Sequence, residues 1–372
     1  MLKAKKAYFL GLVLILAFSS FGFLFAAGQP QPSAAASGGG LIPVKTSGQN
    51  VVQTAVPLVA GEIMKTWENY GLNVSRVHYV SGPPQLEANP SGDWEIGWIG
   101  ATACITGMLK YDMVLVGLSG YDFSNMGFAR SNSNIVAAGD KGVSGTLGTA
   151  AEWRGKNILC NFGSVNYCNL MLCLTALGLT ANDVNIINMD PSPAMQAFLG
   201  GEGDVIFTSS TYASTIASRD GYKIVNTMQG MNAGMAGNII ASKKYLAANE
   251  ETIVKYLEGA LELIFWLGDP ANINQAAEWF TKVMKEDFGV AMTRDEAITN
   301  IKQIGFRNLA FYEDLVKKGS DGLSGLQREF SKFFGYHVTI GSQEPKNLET
   351  VLKAIDTRYL EKALANYKAK HR

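Results

Sequence analysis

Apolar and polar positions along most of this chain come in short blocks that switch between a period of two and a period near 3.6. Residues 41–46 predict a strand, and residues 55–70 a helix with apolar positions at helical spacing. A second strand follows at 72–80, and Gln85 opens a short helix reaching residue 88. Residues 95–99 predict a third strand, 101–110 a helical run, and 114–118 a short buried strand. The pattern then repeats: strands at 157–160, 184–188, 205–208 and 222–225, with helices at 166–177, 192–199 and 210–218. Strands that alternate with helices argue for parallel α/β layers. From about residue 249 long helices take over, at 250–267, 272–286, 295–304 and 346–368. Thr293 and Glu296 form a capping box for the third of these. No period of solenoid type runs through the chain.

The first forty residues follow a different rule. Lys3, Lys5 and Lys6 precede an apolar stretch at 8–25, and Ala26-Ala27-Gly28 offers a small-residue cleavage site. Residues 1–28 are therefore expected to be a secretory signal peptide, with an uncleaved membrane anchor as the alternative. Residues 29–40 contain only Gln, Pro, Ser, Ala and Gly and are expected to be a flexible linker.

Composition narrows the function. The chain has 372 residues, of which 47% are hydrophobic and 17% charged, enough for large cores and typical of two domains. Lys+Arg and Asp+Glu both number 32, so no basic excess supports nucleic-acid binding. Four cysteines are too few for a disulfide scaffold, and three histidines leave little room for a histidine metal site. Cys104, Cys160, Cys168 and Cys173 are expected to be buried thiols; a Cys160–Cys168 disulfide stays open as an alternative. No nucleophile elbow, metalloprotease motif, P-loop or dinucleotide fingerprint is present, so no catalytic residue, metal or cofactor is expected.

The chemistry concentrates in polar loops that each follow a strand and precede a helix. These are Ser47-Gly48-Gln49-Asn50, Ser81-Gly82-Pro83-Pro84-Gln85, Gly100-Ala101-Thr102, Gly163-Ser164-Val165-Asn166-Tyr167, Asp190-Pro191-Ser192 and Ser209-Ser210-Thr211-Tyr212. In open α/β sheets such loops share the carboxyl edge, where ligands bind. The candidate ligand-binding residues are Gln49, Asn50, Ser81, Gly82, Gln85, Thr102, Tyr121, Asp122, Ser164, Asn166, Tyr167, Asp190, Ser210 and Tyr212. No Lys or Arg lies in these loops, so a fully ionised anion would have to rely on amides and helix N-termini. A zwitterion, an amine or a neutral heterocycle fits at least as well. Asp122 and Asp190 can each pair with a ligand amine or cap a turn, and Tyr121 can stack on a ligand or pack in the core.

These segments resemble a known family. Ser81-Gly82-Pro83-Pro84-Gln85-Leu86-Glu87-Ala88, the Gly92–Gly100 stretch, Arg154-Gly155-Lys156 with Gly163-Ser164, and Leu177-Gly178-Leu179 through Gly203-Asp204 stand in the order seen in extracytoplasmic solute-binding proteins of ABC transporters. The group is the nitrate, sulfonate and taurine family, with thiamine-pyrimidine binders alongside. The resemblance covers roughly residues 41–267. It departs after Gly203-Asp204, where Thr208-Ser209-Ser210-Thr211-Tyr212 replaces an aromatic and a proline common in sulfonate binders.

The resemblance implies a periplasmic-binding-protein type II fold. Two α/β lobes would be joined by a two-segment hinge, with a helical C-terminal extension on lobe one. On this reading residues 41–138 and 241–372 make lobe one and 139–240 lobe two. The chain would cross at Ala137–Gly139 and again at Asn238–Ala241, with Gly139, Gly142, Gly234 and Gly237 in hinge-flanking turns. The implied protein is a monomer acting outside the cytoplasm. It binds a small-molecule solute, hands it to an ABC-type membrane permease and binds no nucleic acid. An enzyme resembling the pyrimidine synthases and a membrane-anchored solute sensor are the alternatives.

Overall fold

A computed structural model describes residues 40–135, 148–231 and 233–371. The signal peptide, nearly all of the linker and the crossing expected at Ala137–Gly139 lie outside the described residues. The described strands are β1 (Ile42–Gln49), β2 (Leu72–Tyr79), β3 (Ile96–Gly100), β4 (Met113–Asp122), β5 (Met126–Arg130), β6 (Asn157–Cys160), β7 (Asn185–Asn188), β8 (Val205–Thr208), β9 (Tyr222–Thr227), β10 (Met235–Ser242) and β11 (Ile304–Gly305).

They form two sheets. One has six strands in the order β11-β4-β10-β3-β1-β2, the other five in the order β7-β6-β8-β5-β9. The expected parallel pairing is present between β1 and β2, β1 and β3, β6 and β7, and β6 and β8, but both sheets are mixed. β10 runs antiparallel to both β3 and β4, and β5 antiparallel to both β8 and β9. These are the strands the chain enters on passing from one sheet to the other. Only residues 123–125 separate β4 from β5, and residues 228–234 separate β9 from β10.

The passages between sheets therefore do not fall at 137–139 and 238–241. Asn238 and Ala241 are mid-strand residues of β10, paired with Ile99 and Ile96 of β3. The two crossing segments are tied together where Met228 N–H donates to the Asn125 carbonyl at 2.9 Å. Gly234 packs here: a Cβ would lie 2.3 Å from the Phe123 ring. Gly237 sits inside β10, where a Cβ would meet Ser119 Oγ at 2.2 Å. Close approach, not a turn, accounts for both glycines.

Helices cover the sheets. The expected 55–70 helix is two, Val52–Ile63 and Thr66–Asn69, parted by Lys65 at φ 55°. The capping box at Thr293 and Glu296 is present. The expected 346–368 helix is broken into Leu348–Lys353 and Arg358–Lys370. Leu115 N–H donates to the Ala354 carbonyl and Asp356 N–H to the Leu115 carbonyl, both at 2.9–3.0 Å, so backbone pairing with β4 takes the place of a helical turn. Helices Leu309–Val316 and Gly325–Thr339 escaped the periodicity reading. The first sheet's core is tightly packed around Tyr256, stacked on Trp67 at 4.6 Å and accepting from Trp98 Nε1 at 2.7 Å. None of the described helices is long and apolar enough to cross a membrane.

Candidate ligand-binding cleft

Helices that follow strands begin at the strands' carboxyl ends, and in both sheets those ends face one cavity of about 50 Å³. Both lobes wall it, and it stays partly open to solvent. The first lobe supplies Gln49, Asn50, Gln53, Ser81, Gly82, Gly100 and Asp122; the second supplies Asn161, Gly163, Ser164, Asn166, Pro191 and Ser209.

Several helices start on this cavity. Those at Val52–Ile63, Ala101–Lys110 and Pro191–Leu199 begin with no side-chain cap on their first N–H groups. Such uncapped ends favour hydrogen-bond acceptors and partial negative charge.

Direct contacts join the lobes across the cavity. Asn50 Nδ2 donates to the Tyr212 hydroxyl at 2.9 Å. Burial pushes the Tyr212 phenol up to about 12, so it stays protonated. A Cβ on Gly100 would lie 3.4 Å from Val165 Cγ2 of the second lobe. On that side a chain of asparagines fixes the wall. Asn169 Nδ2 donates to Asn125 Oδ1 at 2.9 Å, Asn125 Nδ2 to Asn166 Oδ1, and Asn166 Nδ2 to Asn161 Oδ1 at 2.6 Å. Because Asn125 belongs to a crossing segment, this chain links the wall to the passage between sheets.

Asp122, the last residue of β4, is the only charged group among the described residues that line the cavity. It is 4% exposed. Its Oδ1 accepts from the Ser124 N–H at 2.7 Å and from the Ser124 hydroxyl, and its Oδ2 accepts from Gln53 Nε2 at 2.9 Å. Among the described residues it has no ion-pair partner. Burial raises its carboxyl pKa, against the lowering effect of those hydrogen bonds. Gln53 Oε1, also buried, has no hydrogen-bond partner.

Of the candidates named from sequence, the structure gathers Gln49, Asn50, Ser81, Gly82, Asp122, Ser164 and Asn166 around the cavity, with Tyr212 behind Asn50. Others face elsewhere. Gln85 is wholly buried and donates to Ser47 Oγ at 2.8 Å and the Trp98 carbonyl at 3.2 Å, acting as a strut between strands. The Thr102 hydroxyl turns to His337 Nε2 at 3.3 Å. Because β4 runs on to Asp122, Tyr121 is a strand residue, and strand neighbours point to opposite faces. Tyr121 therefore packs against Phe311 and Phe333 on the side away from the cleft. Tyr167 packs edge-on against Phe162. Asp190 is exposed, and its successor Pro191 lines the cavity instead. Ser210 opens the helix Ser210–Ala217, and its side chain lies outside the described residues. Sequence reasoning missed Gln53 and Asn161. One is the second residue of a helix whose entry loop had been singled out, the other the first residue after β6. All four cysteines are free and buried, so the Cys160–Cys168 disulfide is absent here. Among the described residues no cluster of His, Cys, Asp and Glu is placed to hold a metal ion.

No family model matches the chain. It is 30% identical over 224 residues to a Brachyspira hyodysenteriae protein named as an ABC transporter periplasmic binding protein, an alignment taking in 58% of this chain and 63% of that one. The chain thus matches somewhat under two thirds of that relative's length. It is 24% identical over 254 residues to a Bacillus subtilis protein named as an aliphatic sulfonates-binding protein, covering 68% and 70% of the two. Among solved structures, the alkanesulfonate-binding protein SsuA from Xanthomonas axonopodis superposes with a TM-score of 0.64 at 15% identity, over 87% of this chain and 100% of that one. The nitrate-binding protein NrtA from Synechocystis superposes at 0.67 with 11% identity, over 88% and 89%. At these identities the superpositions speak for the fold.

Proposed function

We propose that this chain, a homologue of periplasmic binding proteins and built on their fold, is the extracytoplasmic solute-binding component of an ABC-type importer. One observation carries the reading: a cavity whose walls come from both lobes and carry amide and hydroxyl side chains from each, with uncapped helix ends beginning on it. Such a cavity forms fully only when the lobes meet, so a solute contacting both walls favours the closed form. The two crossing segments at 123–125 and 228–234 act as the hinge, which makes residues 126–227 the second lobe. A membrane permease then distinguishes the closed, loaded form from the open one. The protein works as a monomer, delivered outside the cytoplasm by its N-terminal segment.

An enzymatic role has no support in the cavity, whose lining among the described residues holds neither histidine nor cysteine. The solute is small and polar, of sulfonate-like or nitrogenous type, held by amide and hydroxyl groups and by helix N–H groups. A thermal-shift screen with taurine, methanesulfonate, nitrate, pyrimidines and small amines tests the reading. A ligand at a hundredfold excess over its Kd stabilises the folded form by about 2.7 kcal/mol. Its presence should also shrink the radius of gyration in solution scattering. A screen in which no compound raises the melting temperature at millimolar concentration, with scattering unchanged, refutes it.

A further inference from the structure

We infer that Asp122 is the counter-charge for a protonated nitrogen on the captured solute, so that the cleft selects ammonium-bearing compounds over simple anions. The inference rests on the solute-binding reading and specifies its ligand.

Three observations meet at this residue. Among the described residues Asp122 is the one charged group on the cavity wall, and no Lys or Arg of them lines the cavity beside it. It is 4% exposed and has no ion-pair partner among the described residues. Two of its three hydrogen bonds go to Ser124 through Oδ1; Oδ2 receives only the Gln53 amide and so keeps room for a further donor. A carboxylate held out of water without a cation is costly, and the cost is removed when a cation arrives with its own hydrogen to donate. Beside it, the unpartnered Gln53 Oε1 is a second acceptor in the same wall. A protonated amine brings two or three N–H donors and suits both. A sulfonate or nitrate brings only acceptors and negative charge, and Asp122 repels it. Across the cavity the uncapped helix ends take the solute's other, acceptor-bearing end.

The plainer role for Asp122 is to cap the Ser124 turn. Asp122→Asn separates the two roles. The amide keeps an oxygen for Ser124, and its NH2 can donate to Gln53 Oε1 once the Gln53 amide turns over, which also satisfies the orphaned atom. The variant should therefore melt at or above the wild-type temperature, since an unpaired buried charge has been removed. Binding of ethylammonium, ethanolamine and taurine, compared by calorimetry with ethanesulfonate and nitrate, reads the other role.

The expected result is that wild type binds ammonium-bearing members and rejects the two simple anions, while Asp122→Asn weakens the former by about 10- to 100-fold. Equal affinity of wild type and variant for the amines overturns the inference, as does preference of the wild type for ethanesulfonate or nitrate. Both of those outcomes leave the solute-binding reading standing. Absence of any binding or closure with the whole panel overturns that reading and this inference together.

Discussion

Lowering the pH should destabilise this protein through His337. The residue lies in the helix Gly325–Thr339 and is 3% exposed. Its tautomer follows from its partners. Ser342 Oγ donates to the His337 carbonyl at 3.1 Å, so Nδ1–H must donate to Ser342 Oγ at 2.9 Å, and Nε2 accepts from the Thr102 hydroxyl at 3.3 Å. Burial pulls the pKa from 6.5 down to about 4. The depressed value fixes the sign: below 6.5 the unfolded chain takes up a proton that the folded one refuses. The stabilisation is whole above about pH 7 and is lost progressively as the pH falls from 6.5 to about 4. Between pH 7.5 and pH 5 the loss comes to about 2 kcal/mol, within a full span of about 3 kcal/mol. His78, whose pKa burial also lowers, adds a slope of the same sign. His337→Gln isolates the share of one residue, because the amide can keep both partners and does not titrate. Denaturant unfolding at the two pH values is the assay. The difference between them should be smaller in the variant by about 2 kcal/mol. Parallel pH dependences in the two proteins would refute the burial argument.

Two further substitutions probe closure of the cleft. Tyr212→Phe removes the hydroxyl that Asn50 reaches at 2.9 Å; in an open form both groups would meet water, so the closed form alone loses about 1 kcal/mol. Energy transfer between dyes on the two lobes should report a several-fold smaller closed population, and an unchanged signal removes the latch. Gly100→Val adds methyl groups where a bare Cβ already stands 3.4 Å from Val165 Cγ2 of the other lobe. With φ at −68° the backbone accepts valine, so the variant should fold normally, and scattering should give a larger radius of gyration. An equal radius shows that Gly100 does not set the closed gap.

What was legible in the sequence follows from periodicity, and what was not follows from burial on two sides. β1, β2 and β3 and the helices between them stand close to where alternation puts them. β10 was invisible because seven of its eight residues are buried, which leaves no polar face to set a period. Gly234 just before it and Gly237 within it looked like turn residues, yet they are there because Phe123, Ser119 and Gln53 leave no space for a Cβ. A glycine's two uses, freedom of φ and absence of bulk, read alike in sequence. Missing β10 moved the second expected crossing, and missing β5, which already belongs to the second sheet, moved the first.

The same limit decides which site residues were found. Knowing that a loop ends a strand locates its backbone at the cleft, and this sufficed for Gln49, Asn50, Ser81, Ser164 and Asn166. It does not fix the direction of a side chain one turn into a helix or one step along a strand. Gln53 enters the cavity while Gln85 and Thr102 turn inward to other partners. Tyr121 and Asp122 show the point at its smallest scale. They are adjacent, both lie at the end of β4, and the pleat sends one to an aromatic cluster and the other to the cleft.

Where Asp122 stands has a consequence for the working cycle. It is the last residue of β4, and its carboxylate holds the Ser124 backbone inside the first crossing segment. The charge that meets the solute is thus fastened to the hinge. Closing an empty cleft leaves this carboxylate buried with three hydrogen bonds but no cation, a cost that proton uptake limits, and each 1.4 kcal/mol of it lowers the empty closed population tenfold. A solute with a protonated nitrogen cancels the cost on arrival, so its differential affinity for the closed form includes the whole electrostatic difference. A transporter that responds to the closed form needs that form to be rare until it is loaded. A buried acid beside the hinge acts in that direction, without any change in the contacts that hold the lobes together.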